Sequence, residues 1–169
     1  MQKSESNARV PRTLDKVSNA ELEAVEAACR VLVAISAQSI AAVEHIVDLA
    51  QFRALVVVAS RGSVSLGELA EASNTHLSTA SRICERLVTA NLLHRTDDPA
   101  NRRQLILTLT PKGRRLVQDV MRRRRAALAS VVERLPRKQR GQLVSLLQVF
   151  AARDGEDADK HLWFLGWPT

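Results

Sequence analysis

The stretch SLGELAEASNTHLSTASRICERL, residues 65–87, decides the fold. Ser65 and Glu68 stand in a capping-box pattern, in which the hydroxyl serves a helix amide and the carboxylate reaches back. A short helix is expected from there, with Leu66, Leu69 and Ala70 turned inward. Ser73-Asn74-Thr75-His76 interrupts it, and asparagine tolerates the positive φ of a tight turn. A second helix is expected from Leu77 to about Asn91, with Ala80, Ile83, Leu87 and Val88 inward. Ser78, Thr79, Ser81, Arg82, Glu85 and Arg86 then point outward. Two helices joined by so short a turn, the second polar and basic on its free side, form a helix-turn-helix pattern.

Downstream the period changes. Leu93-His94-Arg95 leads into a turn-rich segment, Thr96 to Arg103, and then into Gln104–Leu109. There Leu105, Leu107 and Leu109 share one face and Gln104 and Thr108 the other, the period-2 mark of a half-buried strand, which Ile106 interrupts. The expectation is a β-hairpin, or wing, tipped by Arg102 and Arg103. Thr110 caps and Pro111 opens a helix to about Leu135, and Pro136 restarts a last helix ending near Gly155.

Upstream, Ser18 and Glu21 form another capping box before a long, alanine-rich and aliphatic helix to about Val43. Asp48 and Gln51 open the next helix, through Phe52, Leu55, Val56 and Val58, and Gly62 is its expected stop. The fold class expected is therefore mainly α with a small β-hairpin. Its organisation is a flexible N-terminal arm (1–17), a dimerisation helix (18–47) and a winged helix-turn-helix DNA-binding lobe (48–110). C-terminal dimerisation helices (111–155) and an aromatic tail (156–169) complete it. Dimerisation is expected because the first helix and the last two carry apolar faces that the small lobe between them cannot cover.

Charge points to the partner. The chain of 169 residues has 25 lysines and arginines, 20 of them arginine, against 18 acids. Residues 1–76 are net −2, residues 77–125 net +8 and residues 126–169 net +1, so the excess lies in the segment holding the second helix and the wing. A localised basic footprint suits a polyanion. That segment contains no Phe, Trp or Tyr, which favours duplex DNA over the stacking platforms of single-stranded RNA binders. An enzyme has no support: the chain has no glycine-rich phosphate loop, no H-E-x-x-H and no C-x-x-C. No apolar run approaches 18 residues and the start is polar, so no membrane span or secretory signal is expected and a cytoplasmic location is the default.

Five segments together carry a family resemblance: LAQFRAL (49–55), LGELA (66–70), STASRICERL (78–87), DPANRR (98–103) and LTPKG (109–113). In this order and spacing, over roughly residues 20–153, the chain resembles the multiple-antibiotic-resistance regulator (MarR) family of bacterial transcription factors. The resemblance implies a homodimer of winged helix-turn-helix lobes on double-stranded DNA. It also implies regulation, often repression released by a small aromatic or anionic effector or by thiol oxidation. Three positions depart from the family pattern: Asn101 stands where an acid precedes the two wing arginines, Asn74 replaces the usual glycine of the turn, and the apolar Leu77 leads into the recognition helix.

A helix laid in a major groove reads bases with its N-terminal face. Ser78, Thr79 and Ser81 are short donors and acceptors, Arg82 has the geometry for bidentate reading of guanine, Leu77 suits a thymine methyl, and Arg86 suits a phosphate; a plain solvated helix face is the alternative. Arginine also fits a narrow minor groove, and the resemblance implies Arg103 as the inserted residue with Arg102 on phosphate. For an effector, Ser36, Gln38, Ser39, His45 and Arg53 are the candidate polar contacts, each with a structural role as the alternative.

The remaining features carry less. Cys29 and Cys84 are expected to be small packed residues, with an oxidant-sensing thiol as the alternative. Metal and cofactors are not expected, since Cys29 and Glu44 lie about 22 Å apart on one straight helix at ~1.5 Å per residue. Arg122–Arg125 point four ways on a helix and read as solvated surface or inter-subunit salt bridges. Trp163, Phe164 and Trp167, three of the five aromatics, suggest a tail docked in a groove of its own or the partner subunit, with a disordered end as the alternative.

Overall fold

The computed structural model describes residues 17–97 and 105–162. In chain order it has α1 (Asn19–Ala41), α2 (Leu49–Arg61), β1 (Ser63–Ser65), α3 (Leu66–Ala72), α4 (Leu77–Thr89), β2 (Leu93–Asp97), β3 (Leu105–Leu109), α5 (Pro111–Glu133) and α6 (Arg137–Leu162). The expected arm, Val17 apart, and Trp163, Phe164 and Trp167 lie outside the described residues.

Local chemistry starts the helices where the capping patterns predict. Ser18 with Glu21, Asp48 with Gln51 and Ser65 with Glu68 form reciprocal capping boxes at α1, α2 and α3. Thr110 caps α5 with Pro111 in its first turn. Gly62 follows α2 at φ 77°, a left-handed geometry that glycine adopts without a Cβ clash.

The sheet is larger than the expected hairpin. β3 lies between β1 and β2 and is antiparallel to both, with Val64 opposite Leu107 and Arg95 also opposite Leu107. A three-residue strand leaves no periodic signal, so β1 was not legible. Around α2, whose Phe52, Leu55, Val56, Val57 and Val58 are fully buried, the core gathers Val47, Val64, Leu69, Cys84, Leu87, Leu92, Leu93, Leu107 and Val120. This is a winged helix-turn-helix lobe.

The terminal helices differ in character. On α1, Val25, Val31, Leu32 and Val33 are 41–51% exposed, and on α6 Val144, Leu146, Leu147, Val149 and Phe150 are 51–70% exposed. α6 runs on to Leu162, beyond the stop expected near Gly155, because a lone glycine inside a helix lowers stability without ending it. Although its apolar runs are short, α1 is long enough to cross a membrane, and an 18-residue window of it reaches the mean hydropathy, 1.4, of a membrane-crossing helix. Such a composition also suits a helix packed on protein, and the C-terminal half of α1 does pack, burying Ile35, Ser36, Ser39 and Ile40.

Candidate nucleic-acid interface

α4 is held at both ends. At its start, α3 closes with the amide of Ser73 donating to Leu69 O (2.9 Å) and that of Thr75 to Ala70 O (2.9 Å), while Asn74 takes φ 47°. Asparagine therefore supplies the left-handed residue usually given by glycine. At its end, Asn91 (φ 57°) turns the chain and Leu92 N donates to Leu87 O at 2.8 Å. The segment LTPKG docks there. Thr110 Oγ1 donates to Asn91 O (2.8 Å) and accepts from Gly113 N (2.9 Å), and Lys112 Nζ donates to Ala90 O (3.0 Å). A Cβ on Gly113 would collide with the Leu92 carbonyl, so only glycine lets α5 approach this closely.

With its ends pinned, α4 buries Ala80, Cys84 and Leu87 and half-buries Ile83. Cys84 is buried as expected, while Val88, expected inward, is 37% exposed. Leu77, Ser78, Arg82, Glu85 and Arg86 are exposed, and Thr79 and Ser81 half-buried beside them. Leu77 is 56% exposed, a free apolar contact at the first turn. Ser81 Oγ donates to Glu85 Oε1 at 3.1 Å. A shallow groove of about 390 Å³ runs along Arg82, Glu85, Arg86, Thr89 and Ala90. The sheet flanks this helix, β2 and β3 ending side by side at Asp97 and Leu105. Arg102, Arg103 and Asn101 lie outside the described residues.

The effector candidates are not brought together. Ser36 and Ser39 are buried and satisfied within α1, donating to Leu32 O (2.9 Å) and Ser36 O (2.7 Å). Gln38 and His45 are exposed. Arg53 is half-buried on α2, where desolvation pushes its pKa down. A cavity of about 170 Å³ at the α1–α2 junction is lined by Val33, Ser36, Ala37, Ile40, Glu44 and Leu49, so it includes Ser36 and none of the other four.

Two further expectations change. Cys29 is exposed on α1, not packed, because it lies in the N-terminal half of that helix, where every residue through 34 is exposed. Cys84 is buried, and desolvation pushes its thiol up to about 11. Within the arginine run, Arg122 pairs with Asp119 on the surface, but Arg124 is buried and its Nε donates to Ser39 Oγ at 3.2 Å. Helical directions separate the four residues as expected; the sequence did not show that one of those directions faces α1.

A rigidly mounted helix beside a three-stranded wing defines the class of winged helix-turn-helix regulators. The chain belongs to the MarR family, whose profile matches residues 47–105. The crystal structure of RV1404 from Mycobacterium tuberculosis is 37% identical, with a TM-score of 0.74 over 84% of this chain and 97% of that one. BpsR of Bordetella bronchiseptica, whose DNA binding is regulated by 6-hydroxynicotinic acid, is 29% identical with a TM-score of 0.51, covering 82% of this chain and 96% of that one. YsmB of Bacillus subtilis, an uncharacterized HTH-type transcriptional regulator, is 31% identical over 83 residues, 49% of this chain and 57% of its own length. The match thus spans little more than half of that curated relative.

Proposed function

We propose that this MarR-family regulator is a cytoplasmic homodimeric repressor that binds a near-palindromic operator in duplex DNA. One observation carries the reading: the exposed side of α4 is polar and basic while its other side packs into the core and its C-terminal end is pinned by Thr110 and Lys112. A helix so presented enters a major groove. Arg82 reads guanine; Leu77, Ser78, Thr79 and Ser81 meet bases or phosphates near the helix start; Arg86 meets phosphate; and Arg103 enters the minor groove with Arg102 on phosphate. The exposed apolar faces of α1 and α6 supply the dimer interface and remove that surface from water. In a two-fold dimer the recognition helices sit about one DNA turn apart, ~34 Å.

A small aromatic or anionic effector releases the operator, as the regulation of BpsR by 6-hydroxynicotinic acid suggests. The cavity at the α1–α2 junction lies where terminal helix and lobe meet, and binding there changes the balance between two spacings of the recognition helices.

Selection of bound genomic fragments, followed by footprinting, tests the proposal. Two protected half-sites about one turn apart are expected. Absence of protection on any genomic duplex would overturn it.

A further inference from the structure

The exposed face of α4 carries a single acid, Glu85, set between Arg82 and Arg86 in the same groove. An acid here opposes the field that draws DNA to the protein, so its presence calls for a positive role. Its position is also controlled. Ser81, one turn earlier, donates its hydroxyl to Glu85 Oε1 at 3.1 Å, which limits the rotamers of a flexible side chain and leaves Oε2 to accept from elsewhere. In the major groove the donor a carboxylate can meet is the exocyclic amine of a base, and the pairing matched to an acid is cytosine N4.

We propose that Glu85 is a specificity-determining residue, its carboxylate accepting a hydrogen bond from the N4 amine of an operator cytosine, with Ser81 as its positioning residue. The inference rests on the DNA-reading role of α4 proposed above. Three residues, about 4.5 Å of helix rise, separate Arg82 from Glu85, so the two address base pairs one or two steps apart at ~3.4 Å each. Arginine on guanine and glutamate on cytosine then divide the reading. The acid also weakens indiscriminate attraction to phosphate, which sharpens the ratio of specific to non-specific binding.

Selection from a randomised duplex pool with the full-length protein and its E85A, E85Q and S81A variants tests this. The wild type enriches cytosine at one symmetry-related pair of positions. E85A loses that preference, by about tenfold or more, keeps the guanine preference one or two steps away, and binds a scrambled duplex more tightly. E85Q moves the preference from cytosine to adenine, the base a glutamine amide reads through N6 and N7. S81A weakens the cytosine preference without moving it. Glu85 is exposed, so the melting temperatures of the Glu85 variants stay near that of the wild type, which separates recognition from folding. Identical selected sequences for wild type, E85A and E85Q would overturn the inference and leave the DNA-reading role intact. A wild type that selects no duplex sequence would overturn both.

Discussion

Arg124 Nε donates to Ser39 Oγ at 3.2 Å across 85 residues of chain, both side chains almost wholly buried. The bond joins α5, which leaves the winged lobe, to α1, whose N-terminal half extends past it. Burial pushes the Arg124 guanidinium pKa down, and at neutral pH it stays charged because arginine starts so high. Ser39→Ala removes a hydrogen bond to a buried charge and should lower stability by roughly 1.5–3 kcal/mol. Arg124→Ala should cost more, since it also empties packed volume. Urea unfolding at fixed protein concentration measures both, and a Ser39→Ala variant as stable as the wild type would contradict this account.

Two glycines should respond oppositely to the same substitution. Gly113→Ala drives a methyl into the Leu92 carbonyl and should destabilise by about 1–3 kcal/mol or more, with the junction of α5 and α4 forced apart. Gly141, inside α6, has nothing within 4 Å of a built Cβ. Gly141→Ala should therefore stabilise by up to about 1 kcal/mol through helix propensity. Thermal melting of the two variants checks the contrast.

The capping box at α3 makes a pH-dependent contribution with a definite sign. The backbone amide and hydroxyl of Ser65 hold the Glu68 carboxyl below its usual pKa. A depressed folded-state pKa means the stabilisation is present above the unfolded value, about 4.3, and is lost as pH falls through the lower folded value. Ser65→Ala should cost about 1 kcal/mol at neutral pH. The difference between mutant and wild-type stability should be flat through neutrality and shrink in acid; a gap that widens in acid would reverse the sign argued here.

Cys84 should be inert. With its thiol raised to about 11 by burial, its thiolate fraction at pH 7 is of order one in ten thousand, and thiolate is the reactive form. In a Cys29→Ser background, alkylation should be negligible in the folded protein and reach one equivalent per chain in denaturant. Rapid modification of folded protein would show that the α4–core packing opens.

On DNA, Arg82→Ala should relax base preference at one position per half-site, worth ~1–3 kcal/mol of discrimination. Arg103→Ala should weaken binding to all sequences with little change in rank. A dimer making some 6–10 phosphate contacts should lose roughly 10³–10⁵ in affinity between about 50 and 200 mM salt. Fluorescence anisotropy over a salt series measures the slope, and a flat response would remove phosphate contact from the mechanism.

Much of this architecture is written in short-range patterns. Capping boxes, the Thr110-Pro111 start and the left-handed residues Gly62 and Asn74 involve groups within a few positions of each other, so the residues by themselves determine where α1, α2, α3 and α5 begin and where α2 and α3 end, though not where α6 ends. The outward set Ser78, Arg82, Glu85 and Arg86 was legible for the same reason, because a helical period assigns sides. Asn91, at the far end of α4, was legible only as a helix boundary; its role as the platform for Thr110 depends on an approach 19 residues later.

What only the tertiary structure decided is which element lies opposite which. β1 exists because Val64 finds Leu107 across a sheet whose other edge comes from β2. Period predicted that Arg122–Arg125 diverge, yet only the placement of α1 beside α5 makes Arg124 the buried member. Likewise Val88, expected inward, is 37% exposed because the neighbours of α4 lie on the side of Ala80, Cys84 and Leu87, while Cys29 is exposed in the N-terminal half of α1, where no residue is buried. Capping and period are properties of neighbouring residues; burial is settled by segments far apart in the chain, whose meeting no local pattern encodes.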